Sequence, residues 1–73
     1  MSKLPRVSGR DVVTVLLKRN FILKRQHGSH IVLRRDDPFA QVVVPDQREL
    51  DKVTLRAILR QAGISIEEFS DLV

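Results

Sequence analysis

The order of predicted elements, helix, three strands, helix and a short final helix, points to an α+β fold. The architecture is a two-layer sandwich, with a three-stranded antiparallel sheet carrying its helices on one face. Three observations predict it. Two stretches, residues 8–19 and 51–62, space their apolar residues at helical period. Between them lie three apolar, partly β-branched runs joined by turns too short for a parallel crossover. And 73 residues are too few to cover both faces of a sheet.

The first helix is signalled at Ser8, which can cap the opening turn, with Asp11 three residues on completing a capping box. Val7 and Val12 stand at staple spacing around that cap, and Val12, Val13, Leu16 and Leu17 form the apolar stripe. Lys18 and Arg19 occupy the last turn, where cations favour the negative end of the helix dipole. Asn20 is suited to a left-handed terminator. Before the helix, Met1 to Arg6 reads as a short basic extended lead.

Residues 21–25 read as the first strand and residues 29–35 as the second, with Gln26-His27-Gly28 as a three-residue hairpin loop. That loop pairs Lys24 with His30 and Leu23 with Ile31. Phe21, Leu23, Ile31 and Leu33 then share the buried face, and Lys24, His30, Val32 and Arg34 share the open one. A two-residue loop at His27-Gly28 would instead place His30 and Arg34 with Phe21 and Leu23, burying charge in a thin core, so the longer loop is preferred. Asp36-Asp37-Pro38 is a turn cluster, residues 41–44 are a third strand, and Pro45-Asp46 ends it. Asp51 caps the second helix, with Leu55, Ile58, Leu59 and Ala62 inward and Gly63 as its stop. Ser65 with Glu68 predicts another capping box, and Ile64 with Phe69 another staple, for a short third helix reaching about Leu72.

Composition narrows the function classes. With no cysteine there is neither a disulfide nor a thiolate metal site, and the most apolar stretch, Val12 to Leu17 with a threonine inside, is far short of the roughly 20 residues of a membrane span. The amino terminus lacks the apolar core of a secretory signal, so a cytoplasmic protein of one domain, residues 1–73, is expected. The net charge of +4 is unevenly spread. Residues 1–35 hold nine Lys/Arg against one acid, a net +8, and residues 36–73 hold four against eight, a net −4. Six basic residues and no acid lie between Lys18 and Arg35, a block that attracts phosphate or an acidic protein surface.

Within that block Gly28-Ser29-His30 opens the second strand. Histidine is suited to proton transfer near neutral pH because its free pKa is about 6.5. Lys24 and Arg34 on its face would hold a phosphate and stabilise the charge that develops on it. Ser29 is a turn residue that could also bond a phosphate, and His27 is a possible second acid or base. Two histidines three residues apart around a glycine, without an acid pair, make a poor metal site, so no metal is expected.

The residues Leu4-Pro5 to Ser8-Gly9, Phe21, Arg25-Gln26-His27-Gly28-Ser29-His30, Val44-Pro45 and the run from Leu55 to Ile64 resemble the HicA family of toxins. Asn20 stands where that family often has glycine, and Asp46-Gln47 where it often carries another histidine. Helix, three strands and helix in that order resemble the double-stranded RNA-binding domain fold. The family resemblance implies an mRNA interferase of a type II toxin–antitoxin pair, catalysis by His30 and a HicB-like antitoxin as partner. RNA contacts at Lys24, Ser29 and Arg34 would complete the site, with no cofactor. A non-catalytic RNA-binding domain using the same basic sheet face is the alternative, and a module docking an acidic protein is a third.

Overall fold

The computed structural model describes residues 4–73, so the start of the basic lead lies outside the described residues. The elements are α1 (Gly9–Lys18), β1 (Ile22–His27), β2 (His30–Asp36), β3 (Phe39–Pro45), α2 (Lys52–Ala62) and α3 (Ile66–Leu72). The strands form one antiparallel sheet in the order β1-β2-β3. This is the predicted α+β architecture, with β3 running three residues longer than the sequence pattern indicates.

The helix ends follow their local chemistry. Ser8 Oγ accepts from the Asp11 amide at 3.1 Å and Asp11 Oδ2 accepts from the Ser8 amide at 3.0 Å, closing the capping box. At the other end Asn20 adopts φ 71°, and the Phe21 amide reaches back to the Leu16 carbonyl at 3.1 Å, a Schellman closure. Asp51 caps α2 through the Thr54 amide at 2.8 Å, and Gly63 ends it in the left-handed region. At α3 only half of the expected box forms. Ser65 Oγ accepts from the Glu68 amide at 3.0 Å, but the Glu68 carboxylate turns instead to Arg19, the residue that caps the end of α1. An ion pair tying α3 to α1 replaces a purely local cap.

The core lies between the helices and one face of the sheet. Ile31, Leu33, Val42 and Val44 meet Val12, Leu16, Leu55, Leu59 and Phe69 in one cluster, all at 2% exposure or less. The α1 stripe is shifted from the predicted one: Val15 is buried and Leu17 is half exposed. The three helical positions Val12, Val15 and Leu16 turn together toward the sheet, and Leu17, one residue on, is rotated away.

Two contacts fix the helix layer to the sheet. The Gly9 amide donates to the Gln47 carbonyl at 2.9 Å, and a Cβ built on Gly9 would stand 1.9 Å from the Pro45 carbonyl oxygen. Helix α1 can start where it does only because that position lacks a side chain. Beside it, Arg10 donates to both carboxylate oxygens of Asp46, at 3.2 and 2.9 Å, and the Asp46 amide donates to the Ser29 carbonyl at 2.6 Å. The hydrogen bonds from Arg10 hold the Asp46 carboxyl below the ordinary aspartate range, and those from the Thr54 amide and hydroxyl do the same for Asp51.

Gly9→Ala should destabilise the protein by about 1–3 kcal/mol, the cost of overpacking, even though alanine is the better helix former. Thermal melting measures it, and an unchanged or higher melting temperature would contradict the close approach. The two depressed aspartates set an acid limit. A carboxyl whose pKa falls on folding adds stability that is complete above its unfolded value, about 3.9, and is lost as pH drops through the folded one. Melting temperature should therefore fall below about pH 4. Asp46→Asn should make that fall shallower, and an unaltered acid slope in the variant would count against the Arg10–Asp46 pair.

Candidate functional site

The hairpin between β1 and β2 corrects the predicted register. His27 pairs with His30, Gln26 with Ile31 and Arg25 with Val32, so the loop is the two residues Gly28-Ser29. Gly28 takes φ 56° and Ser29 is not left-handed, as fits a type II′ turn with glycine at its first central position. A Gly-Ser pair between two apolar runs is a known hairpin signal, and it was available in the sequence.

The predicted pairing of Lys24 with His30 is therefore replaced. Beyond Arg25 the ladder slips, and Leu23 pairs with Leu33 and Ile22 with Arg34. Lys24 is the extra residue of a β-bulge and has no ladder partner. The slip restores the parity that the short loop would otherwise break. Leu23 stays on the face of Leu33, toward the helices, while His30 stays on the open face. Leu23 is nonetheless 43% exposed, because β1 is an edge strand and all six of its residues are exposed.

The open face can now be read off the register. Across its lower end run His27, His30 and Pro45; across the next rung Arg25, Val32 and Val43; across the next Ile22, Arg34 and Gln41. His30 is exposed, as expected, and Val32 beside it on the central strand is buried at 8% exposure. Two residues thus join His30 that the sequence pattern did not bring to it, His27 directly opposite and Arg25 one rung along.

The turn that carries His30 is held from three sides. The Ser29 carbonyl accepts from Asp46, and Gln26 Nε2 donates to the Gly28 carbonyl at 2.9 Å and reaches Asp46 Oδ2 at 3.4 Å. Asp46 thus serves the turn through both its amide and its carboxylate.

Most of the basic block is already engaged. Arg34 pairs with Asp36 at 3.0 Å, and Arg19 pairs with Glu68. Arg35 donates to the Pro38 carbonyl at 2.9 Å and lies 4.7 Å above the Phe21 ring. Among the described residues Lys24 and Arg25 have no ion-pair partner, and both are exposed. The cations free to meet an anion next to His30 are therefore Arg25 and Lys24, and Arg34 would have to leave Asp36 to join them. Ser29 is exposed at the turn, with its carbonyl engaged.

Elsewhere a groove of about 470 Å³ runs between β3 and α2, lined by Val43, Val53, Thr54 and Ile58 among others. It holds no titratable side chain and does not include His30. Among the described residues no three His, Asp or Glu side chains come together as a metal site, and no helix is long and apolar enough to cross a membrane.

No individually curated protein matches the chain. A family model described as the HicA toxin of bacterial toxin–antitoxin matches residues 9–64, which run from the first residue of α1 through all three strands and α2 to Ile64. With three quarters of its length inside that match, and with the α-β-β-β-α order, the chain belongs to the HicA toxin family and is a toxin of a toxin–antitoxin system.

Proposed function

We propose that this toxin is a metal-independent endoribonuclease that cleaves mRNA, with His30 as a general acid/base. Membership of the HicA family supports the reaction class. The observation that carries the assignment to His30 is its placement: an exposed imidazole on the open sheet face, on a braced turn, with Arg25 one rung along and Lys24 in the bulge beyond, neither cation having an ion-pair partner among the described residues. In this reading the histidine moves the proton, and the cations hold the phosphate and offset the extra negative charge of the transition state. Lys24, Ser29 and Arg34 contact RNA. Arg34 does so at the expense of its bond to Asp36, so its contribution is smaller than that of Lys24. The toxin acts in the cytoplasm and is masked by a HicB-like antitoxin that covers His30 with an acidic surface.

Incubation of RNA with the purified protein tests the reaction. Cleavage should survive a chelator and leave 2′,3′-cyclic phosphate or 3′-phosphate ends. Loss in chelator with recovery in magnesium would contradict the mechanism. His30→Ala should lower cleavage by about 100- to 10,000-fold, the usual contribution of a positioned acid or base. Its stability should change by less than about 0.5 kcal/mol, because the side chain is exposed. It should still bind RNA; wild-type protein that binds RNA without cutting it would favour the non-catalytic alternative. Leu33→Ala, three positions along the same strand and on its buried face, should cost about 2–5 kcal/mol.

Antitoxin association should slow as salt rises, since charges at an interface rim mainly steer encounter. A complex with His30 open to solvent would contradict direct masking.

A further inference from the structure

We infer that His27 is a second catalytic residue, working with His30 as the other half of an acid–base pair; the inference rests on the ribonuclease reading and deepens it. The two histidines form the last rung of the β1–β2 ladder, on the open face of the sheet. Directly opposed residues in an antiparallel pair hold their Cβ atoms about 4.5–5.5 Å apart, so two imidazoles at one rung can both reach a single bound group. Both residues are exposed, and among the described residues neither imidazole has a hydrogen-bond or ion-pair partner. Both therefore keep their ring nitrogens available to a ligand.

The surroundings suit a phosphate between them. Arg25 lies on the same face one rung away, opposite Val32, and Lys24 stands free in the bulge beyond it. The carboxylate at this end of the sheet, Asp46, is occupied by Arg10 and Gln26. The backbone of the turn that joins them is braced, with the Ser29 carbonyl bonded to the Asp46 amide at 2.6 Å.

Strand scission at a 2′-hydroxyl requires two proton movements on opposite sides of one phosphorus. One histidine, neutral, takes the proton from the 2′-hydroxyl as its oxygen bonds to phosphorus. The bond from phosphorus to the 5′-oxygen breaks, and the second histidine, protonated, gives its proton to that departing oxygen. The products are a 2′,3′-cyclic phosphate and a 5′-hydroxyl. The two histidines have exchanged protonation states and return by exchange with water. Atoms, charge and protons balance without a metal or co-reactant. A single histidine would have to perform both transfers from one position, whereas a facing pair covers both sides at once.

The test compares wild type, His27→Asn and His30→Asn on a short RNA and on the same RNA with sulfur in place of the bridging 5′-oxygen at the cut. A thiolate leaves without being protonated, so this substrate no longer needs the acid. On ordinary RNA each variant should fall by about 100-fold or more, with melting temperature unchanged. On the sulfur substrate one of the two variants, the one lacking the acid, should regain most of its rate, and the other should not. A His27→Asn variant that cleaves ordinary RNA at the wild-type rate, or a loss that the sulfur substrate restores for neither variant, would overturn the inference. Failure of the broader reading looks different: wild type does not cleave, or His30→Asn cleaves normally, and the role of His27 falls with it.

Discussion

The approach of Gly9 to the Pro45 carbonyl is the constraint from which the functional end of the molecule is built. It lets the first turn of α1 sit against the end of β3, with the Gly9 amide on the Gln47 carbonyl. That contact sets Arg10 over Asp46, and the Asp46 amide in turn holds Ser29. Three links thus connect the start of the first helix to the hairpin turn bearing His30. A larger residue at position 9 would push the helix off the strand end, and the turn would lose the brace behind it. The Val7 carbonyl, which accepts from the Leu50 amide at 2.9 Å, ties the segment before α1 to the segment before α2 in the same way.

The bulge at Lys24 reconciles two demands that a regular strand could not meet together. A tight two-residue turn puts His27 opposite His30 and, continued without interruption, would carry Arg34 and His30 to the face of Leu23. The thin core of a domain this small cannot take a charge, since an unpaired buried ion costs far more than the small net stability of such a domain. One extra residue in β1 shifts the outer half of the strand by one place, so Leu23 faces Leu33 while the histidines stay in solvent. The edge position of β1 makes this inexpensive, because Lys24 leaves no inner partner unpaired across a second strand.

Charge in the sequence and charge in the folded molecule are different quantities. The amino-terminal half carries a net +8, yet the acids of the other half are folded back onto it: Asp46 on Arg10, Glu68 on Arg19, Glu49 at 4.0 Å from Arg6. These exposed pairs contribute little stability each. Their larger consequence is a narrowing of the field, which leaves Arg25 and Lys24 as the hairpin cations without a side-chain partner among the described residues, rather than a uniformly basic surface.

Local chemistry in the chain determined the element order, the helix ends and the identity of most core residues. Ser8, Asn20, Asp51, Gly63 and Ser65 act within a few residues of themselves, and the stripe of α2 is a property of one helix, so a linear reading reaches them. It also singled out His30 and placed it on the open face. The relation between strands is not local in this sense. The Gly28-Ser29 turn signal was within reach of a linear reading, and it sets His27 opposite His30 with Arg25 one rung along. Whether a strand carries a bulge depends on which arrangement lets Phe21, Leu23, Ile31 and Leu33 meet the helices at once, and that is a demand of the assembled core, so only the tertiary structure could move Lys24 out of the ladder. It alone decided that Arg34 is held by Asp36 and that Glu68 serves Arg19 rather than its own cap, because an ion pair forms between whichever side chains packing leaves within reach.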